Sequence, residues 1–309
     1  MKPLFIMLLA AALAPAQVRF SKAADHIDIQ IDGRPFATFW YSSAVPKPYL
    51  APIRAASGTI VTRQWPMDPA SKESHEHPHH RGLFFGYINV NGVDFWGNDP
   101  LAHEKNPGTI SLRQLEQVKD GDHAGTIHAI FDWKDPQGKP VLAEDRTMTF
   151  YSDPRLRTID VDIVLTAAVD TTFYDDKDGA FAFRMADALN EDHTGTLVNA
   201  EGAEHEKNTW GHRSPWMDYY GTIGSKKLGV AIFDHPSNPG YPNRWHCRGY
   251  GLFSMNPFAQ HAFDPALPEK HTPLAKGASM HYLWRVVIHP GDVHTADIAG
   301  LYRAWTGQK

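Results

Sequence analysis

The chain has 309 residues, with 30 Lys and Arg against 35 Asp and Glu and a formal net charge of −5. It carries no basic run, which argues against nucleic acid as a partner. Its single cysteine, Cys247, excludes an internal disulfide framework, so stability must come from packing.

Residues 1–16 read as a signal peptide. Lys2 precedes an apolar stretch, Leu4–Leu13, and a small-x-small site at Ala14-Pro15-Ala16. That stretch is too short to span a bilayer, and no second apolar segment approaches the length needed. A mature chain from Gln17 is expected, periplasmic or secreted, with no membrane insertion after signal removal. No linker or fixed repeat divides residues 17–309, so one domain is expected.

Beyond Gln17 the pattern is strands and turns. Ile27, Ile29 and Ile31 alternate with polar residues, and Asp32-Gly33 turns the chain into Phe36–Tyr41. Tyr87–Val90 and Val93–Trp96 flank Asn91-Gly92, a hairpin signal. Ile127–Trp133 and Val141–Tyr151 flank a turn with Pro136 and Gly138, and Ile159, Val161, Ile163 and Leu165 share one face. Further strands are expected around Phe181 and Phe183 and at Met217–Ile223, Leu228–Asp234, Gly249–Met255 and Met280–His289. After Pro290-Gly291, Asp292 can cap a helix to about Thr306, with Ile298, Leu301, Tyr302 and Trp305 at helical spacing. Strands and helices do not alternate, which argues against a parallel α/β fold. The expected fold is all-β, a large antiparallel β-sandwich of the supersandwich kind with one C-terminal helix. The polar loops 66–82, 98–109, 171–180, 201–216 and 235–247 are the natural carriers of a site.

The densest chemical signal is His75-Glu76-His77-Pro78-His79-His80-Arg81-Gly82. It places four of the 18 histidines within six positions, ahead of the apolar run Leu83-Phe84-Phe85. Imidazoles serve proton transfer or metal binding near neutral pH. His77 and His79 fall on one side of an extended backbone and can supply two ligands to a divalent metal if a third comes from elsewhere. Otherwise His77, His79 or His80 acts as general acid or base, or the segment is a solvated loop. Arg81 can bind a carboxylate or oxyanion.

Three other groups are candidates. Asp176 and Lys177 lie in a turn before Phe183-Arg184, where Arg184 needs a partner if buried. Asp234 and His235 precede Pro236, and Trp245-His246 follow about ten residues on. Asp94 and Trp96 straddle Phe95, a carboxylate beside an indole. Asn256 can orient a hydroxyl, and Trp96, Trp210 and Trp245 can stack on sugar rings. Each has a bland alternative: solvated turn, capped turn or strand end. No phosphate-binding glycine loop, G-x-S-x-G elbow, H-E-x-x-H or C-x-x-C occurs.

Taken together, His77-Pro78-His79-His80-Arg81-Gly82-Leu83, Asp94-Phe95-Trp96, Asp176-Lys177-Asp178-Gly179, Trp210-Gly211, Trp216-Met217-Asp218-Tyr219, Asp234-His235-Pro236-Ser237-Asn238-Pro239, Trp245-His246, Tyr250-Gly251-Leu252 and Asn256-Pro257-Phe258 resemble an exported bacterial family of unassigned function. That family, PmoA-like, carries the label "methane oxygenase PmoA". The methane monooxygenase subunit of that name spans the membrane several times, whereas this mature chain has no such segment. The resemblance covers about residues 25–305 and implies a relative of the galactose-mutarotase-like supersandwich. In that larger group, aldose epimerases use a histidine and a carboxylate for acid–base work.

The expected function is an exported carbohydrate-active enzyme acting on a saccharide by cleavage, elimination or epimerisation. His77, His79, His80, Asp234, His235 and His246 would be catalytic. Arg81, Asp94, Trp96, Asp176, Lys177, Arg184, Trp210, Trp245 and Asn256 would bind substrate. No cofactor is expected, a divalent metal at His77 and His79 being the alternative. The rival functions are a non-catalytic sugar-binding protein and a His-ligated metal-dependent oxidoreductase or hydrolase.

Overall fold

The computed structural model describes residues 17–102 and 105–307. The signal peptide expected at 1–16 lies outside them.

Two eight-stranded antiparallel sheets face each other. The first runs, edge to edge, Val18–Lys22, His26–Ile31, Arg34–Trp40, Tyr49–Ile53, Leu83–Tyr87, Gly179–Arg184, Leu252–Asn256 and Arg244–Arg248. The second runs Thr196–Asn199, Trp216–Ile223, Lys226–Asp234, Ser279–Pro290, Arg157–Ala167, Pro140–Ser152, Ala124–Lys134 and Thr109–Lys119. Thr171–Phe173 and Thr272–Leu274 pair separately. The antiparallel sandwich expected from the alternating pattern is therefore present.

Side chains from both inner faces make the main core. Phe85 meets Trp133 at 5.6 Å and Trp284 at 5.5 Å, and Phe181 stacks on Trp284 at 4.5 Å between ring centroids. Each such buried ring contributes about 1.5–3 kcal/mol by leaving water, which is how a chain without disulfides is held.

The central strands of the first sheet are buried on both faces. Leu83, Phe85 and Tyr87 enter the inter-sheet core. Phe84 points the other way, into a small outer cluster with Tyr49, Trp96, Ala182 and Leu252. Cross-strand register lines up Phe84, Ala182, Ser254 and His246 on this outer face. Of that row, His246 lines a cavity formed with the loops on this side.

Some expectations change in detail. Asn91-Gly92 does turn the chain, but only Val90 and Val93 pair across it. Asp94 folds back to accept from the backbone N–H groups of Trp96 and Gly97, which ends any ladder. The C-terminal helix spans Ile298–Thr306, with Asp297 as N-cap accepting from Gly300 N–H. Asp292 instead caps the preceding turn, accepting from Thr295 N–H at 2.9 Å. A one-turn helix, Glu206–Thr209, was not expected. Among the described residues no helix is long and apolar enough to cross a membrane.

Candidate functional site

The histidine segment enters the outer face of the first sheet at Gly82. Gly82 has φ +58°, and an added Cβ would lie 2.1 Å from the carbonyl oxygen of Leu50. Only glycine lets the loop pass this close to its neighbour. Upstream, His77 also takes a positive φ, +48°, unusual for a residue with a side chain. Arg63, wholly buried, holds it there. Its Nη2 donates to the carbonyls of His77 (2.8 Å) and His80 (3.2 Å), and its Nη1 donates to the carbonyl of Glu76 (2.6 Å).

The loop so held presents three rings. His77 lies parallel to His80 (5.0 Å, 9°) and to Tyr250 (4.9 Å, 13°), while His79 meets His80 edge-on at 4.2 Å. With His246, Trp96, Lys177, Asp178 and Arg248 they line a cavity of about 280 Å³. This is at the small end for ligand sites, suited to one ring rather than a long polymer segment.

Charge and tautomer are set by surroundings. Burial, then the cations Arg184 and Arg63, push His77 down to about 4. Burial, then Lys47, pushes His79 down to about 2. Burial, then His79 and Arg184, holds His80 well below its ordinary value. Burial takes His246 down to about 3, against the pull of Asp178. All four imidazoles are therefore neutral at neutral pH.

The Glu76 carboxylate lies against Nδ1 of His77, and its negative charge favours the ring proton on that nitrogen and the lone pair on Nε2. His246 is the reverse. Trp210 donates its indole Nε1–H to His246 Nδ1 at 3.2 Å. An indole nitrogen only donates, so Nδ1 must carry the lone pair and Nε2 the proton. Nε2 faces Asp178, 3.6 Å from Oδ1. The other oxygen of Asp178 accepts from Lys177 Nζ at 2.7 Å. One imidazole thus offers an acceptor and another a donor, with a carboxylate and an ammonium between the walls.

The structure brings His77, His79, His80, Trp96, Lys177 and His246 together at this cavity. Trp210 stands behind His246. Other expected site residues are elsewhere. Asp234 is wholly buried in the second sheet, accepting from Asn243 N–H (2.8 Å) and Asn238 Nδ2 (2.8 Å), and burial raises it to about 6. His235 packs edge-on against Trp305 of the C-terminal helix at 4.9 Å and pairs with Ser237 Oγ. Trp245, next to His246 in an extended strand, points into the inter-sheet core and donates to Ser214 O.

Five more support the walls without lining the cavity. Arg81 pairs with buried Asp99, Nε to Oδ2 at 2.7 Å. Asp94 fixes the Trp96-Gly97 backbone. Asp176 accepts from Asp178 N–H, and Asn256 Nδ2 donates to the carbonyls of Asp176 and Lys177, so both shape the turn that carries Asp178. Arg184 sits under Tyr250, 4.7 Å from the ring centroid, and bonds Glu76 and Ser74. This answers the need for a buried partner that its sequence context raised.

Asp178, Arg248 and Tyr250 complete the cavity and were not singled out as site residues. In the sequence Asp178 stands out only within the motif Asp176-Lys177-Asp178-Gly179. Alternation in the strand Arg244–Arg248 puts Arg248 on the His246 side, a signal available once the strand is known. Among the described residues, no group of three or more His, Cys, Asp or Glu side chains is arranged to hold a metal ion.

No curated protein matches the sequence. Among solved structures, the alpha-galactosidase from Lactobacillus brevis is 11% identical, with 87% of this chain covering 39% of that one and a TM-score of 0.40. Alpha-galactosidase AgaA from Geobacillus stearothermophilus gives 11%, 89%, 40% and 0.35. Heparan sulfate lyase HepC from Pedobacter heparinus gives 8%, 90%, 36% and 0.39. The chain thus spans about two fifths of the length of these proteins, and scores this low carry over no chemistry. A family model matches residues 26–303 and bears no methane-oxygenase label, so the chain belongs to the family described as a family of unknown function, DUF6807.

Proposed function

We propose that the chain is a carbohydrate-active enzyme that moves protons on a saccharide bound against the outer face of the first sheet. The observation that carries this reading is the convergence of a neutral His77, backed by Glu76, and the Asp178 carboxylate on one ring-sized cavity walled by Trp96 and Tyr250. His77 Nε2 is the proton acceptor, its Nδ1–H oriented by Glu76 as a carboxylate orients a catalytic imidazole. Asp178, held by Lys177, is the second acid–base group. His246 Nε2–H is a hydrogen-bond donor rather than a base, because Trp210 occupies the lone pair of its other nitrogen. Trp96 is the indole in the wall that can meet the C–H face of a pyranose, while Tyr250 packs against His77 and Arg184. The reaction is cleavage, elimination or epimerisation of a sugar, in the exported setting expected from the N-terminal sequence.

The test is product detection by NMR across a panel of free sugars, aryl glycosides and uronides, with wild type, His77→Ala and Asp178→Asn side by side. Turnover lost in both variants, with folding retained, supports the assignment. Binding without product favours a sugar-binding protein. Turnover unchanged in both variants removes the proton-transfer roles.

A further inference from the structure

The donors of this cavity are unevenly balanced against its acceptors. His79 and His80 each have a buried Nδ1 with no hydrogen-bond partner, and neither ring nitrogen of either residue bonds to protein. A buried lone pair without a partner costs less than a buried N–H without one, so each proton belongs on Nε2, the nitrogen that is not a buried, unpartnered atom. Trp210 enforces the same tautomer on His246. The imidazole N–H groups of His79 and His80 are therefore left for the ligand, with the Arg248 guanidinium in the same wall, while that of His246 faces Asp178. Arg248 also lies 3.3 Å from Glu206 Oε1. The one carboxylate in the wall, Asp178, already receives Lys177. Beneath Tyr250 lies Arg184, whose Nε and Nη1 are buried without partners while its Nη2 is paired with Glu76.

A neutral sugar hydroxyl donates as well as accepts, and its protons find only His77 Nε2 and Asp178 as side-chain acceptors in this wall. A carboxylate accepts only, and each of its oxygens can take more than one donor. We infer that the ligand is a sugar acid, whose carboxylate is held by the Nε2–H groups of His79 and His80 beside Arg248. This rests on the saccharide reading above and names its substrate class.

Matched ligands separate the two ideas. Calorimetry on the full chain compares glucuronate with glucose, galacturonate with galactose, and each uronate with its methyl ester, with acetate and succinate as sugar-free carboxylates. The expected result is at least tenfold tighter binding of a uronate than of its neutral partner or ester, and weaker binding of acetate and succinate. His79→Gln keeps a donor near the Nε2 position and should hold that preference, whereas His79→Phe should lose at least tenfold for the acid alone. Equal binding of acid and neutral sugar overturns the sugar-acid inference and leaves the saccharide reading standing. Sugar-free carboxylates binding as tightly as uronates overturn the saccharide reading. No binding by any of these ligands to folded wild-type protein overturns both.

Discussion

Arg63 Nη2 donates to the carbonyl of His77 at 2.8 Å, from a side chain with no exposed surface. The same guanidinium reaches the carbonyls of Glu76 and His80, so one planar fork fixes three residues of the loop. Its charge is buried for the sake of backbone oxygens that a solvated loop would leave to water. Arg63 is in this sense a positioning residue for His77, not a catalytic one.

Arg63→Met should cost about 3 kcal/mol or more, because several carbonyls lose charged donors at once. Arg63→Lys keeps the charge but not the fork, and should cost less. The informative readout is the His77 imidazole titration by NMR together with the split between kcat and KM. Lowered kcat with KM little changed, and a displaced His77 resonance, are expected in Arg63→Lys. A wild-type His77 titration in that variant would show that the fork does not position the ring.

Trp210→Phe should release the tautomer of His246. In the wild type, the indole fixes the proton on Nε2, and nitrogen chemical shifts should report Nε2–H throughout the neutral range. The variant should show both tautomers, since neither ring nitrogen then meets an indole N–H. A wild-type spectrum with the proton on Nδ1 would refute the assignment and remove one donor from the cavity.

The sandwich was legible because alternation is a local signal. Ile27, Ile29 and Ile31, and Ile159 through Leu165, are buried where that alternation puts them. The strand Thr109–Lys119 was not legible: two register shifts break its pairing and much of it faces solvent, so the period-two pattern is lost. For the site, residue type led to His77, His79, His80 and His246, but proximity in sequence misled at Trp245. Neighbours in a strand face opposite ways, so Trp245 is core where His246 is cavity wall. Asp234 and His235 share loop chemistry with the site but sit on the other sheet, a separation that only topology sets. Trp245→Ala should accordingly cost about 3–5 kcal/mol in urea unfolding, as for a large ring removed from a core. If that variant kept wild-type stability and lost only ligand affinity, its place in the core would be contradicted.

The pH dependence of catalysis should carry the mark of His77. Its basic form is the neutral one, and burial with the nearby Arg184 brings the imidazole down to about 4. The base is therefore ready at every pH above that value, and kcat/KM should rise through about pH 4 and be flat on the acid side of neutrality. His77→Ala should lose about 10²–10⁴-fold in rate and with it this limb. An acid limb centred near the ordinary histidine value of about 6.5 and retained in His77→Ala would place the base elsewhere.

Stability should respond to pH through a different histidine, away from the cavity. His289 Nε2 lies 3.0 Å from Asp218 Oδ1 in the second sheet, with both side chains wholly buried. Desolvation works against its charged form, but Asp218, by charge and hydrogen bond, and the Pro290 carbonyl outweigh it and leave the pKa raised. A raised folded-state value means the fold binds this proton more tightly than the unfolded chain does. The contribution is then fully present below the unfolded value, about 6.5, and is lost as pH rises through the higher folded value. Asp218→Asn should remove that slope and, at pH 6, cost about 3–5 kcal/mol, since it strands a buried imidazolium or forces its deprotonation. Urea midpoints measured from pH 5 to 9 in the two proteins give the comparison. A wild-type midpoint that does not fall with pH above the ordinary histidine range, relative to Asp218→Asn, would mean that His289 is neutral in the fold and that the pair is an uncharged hydrogen bond.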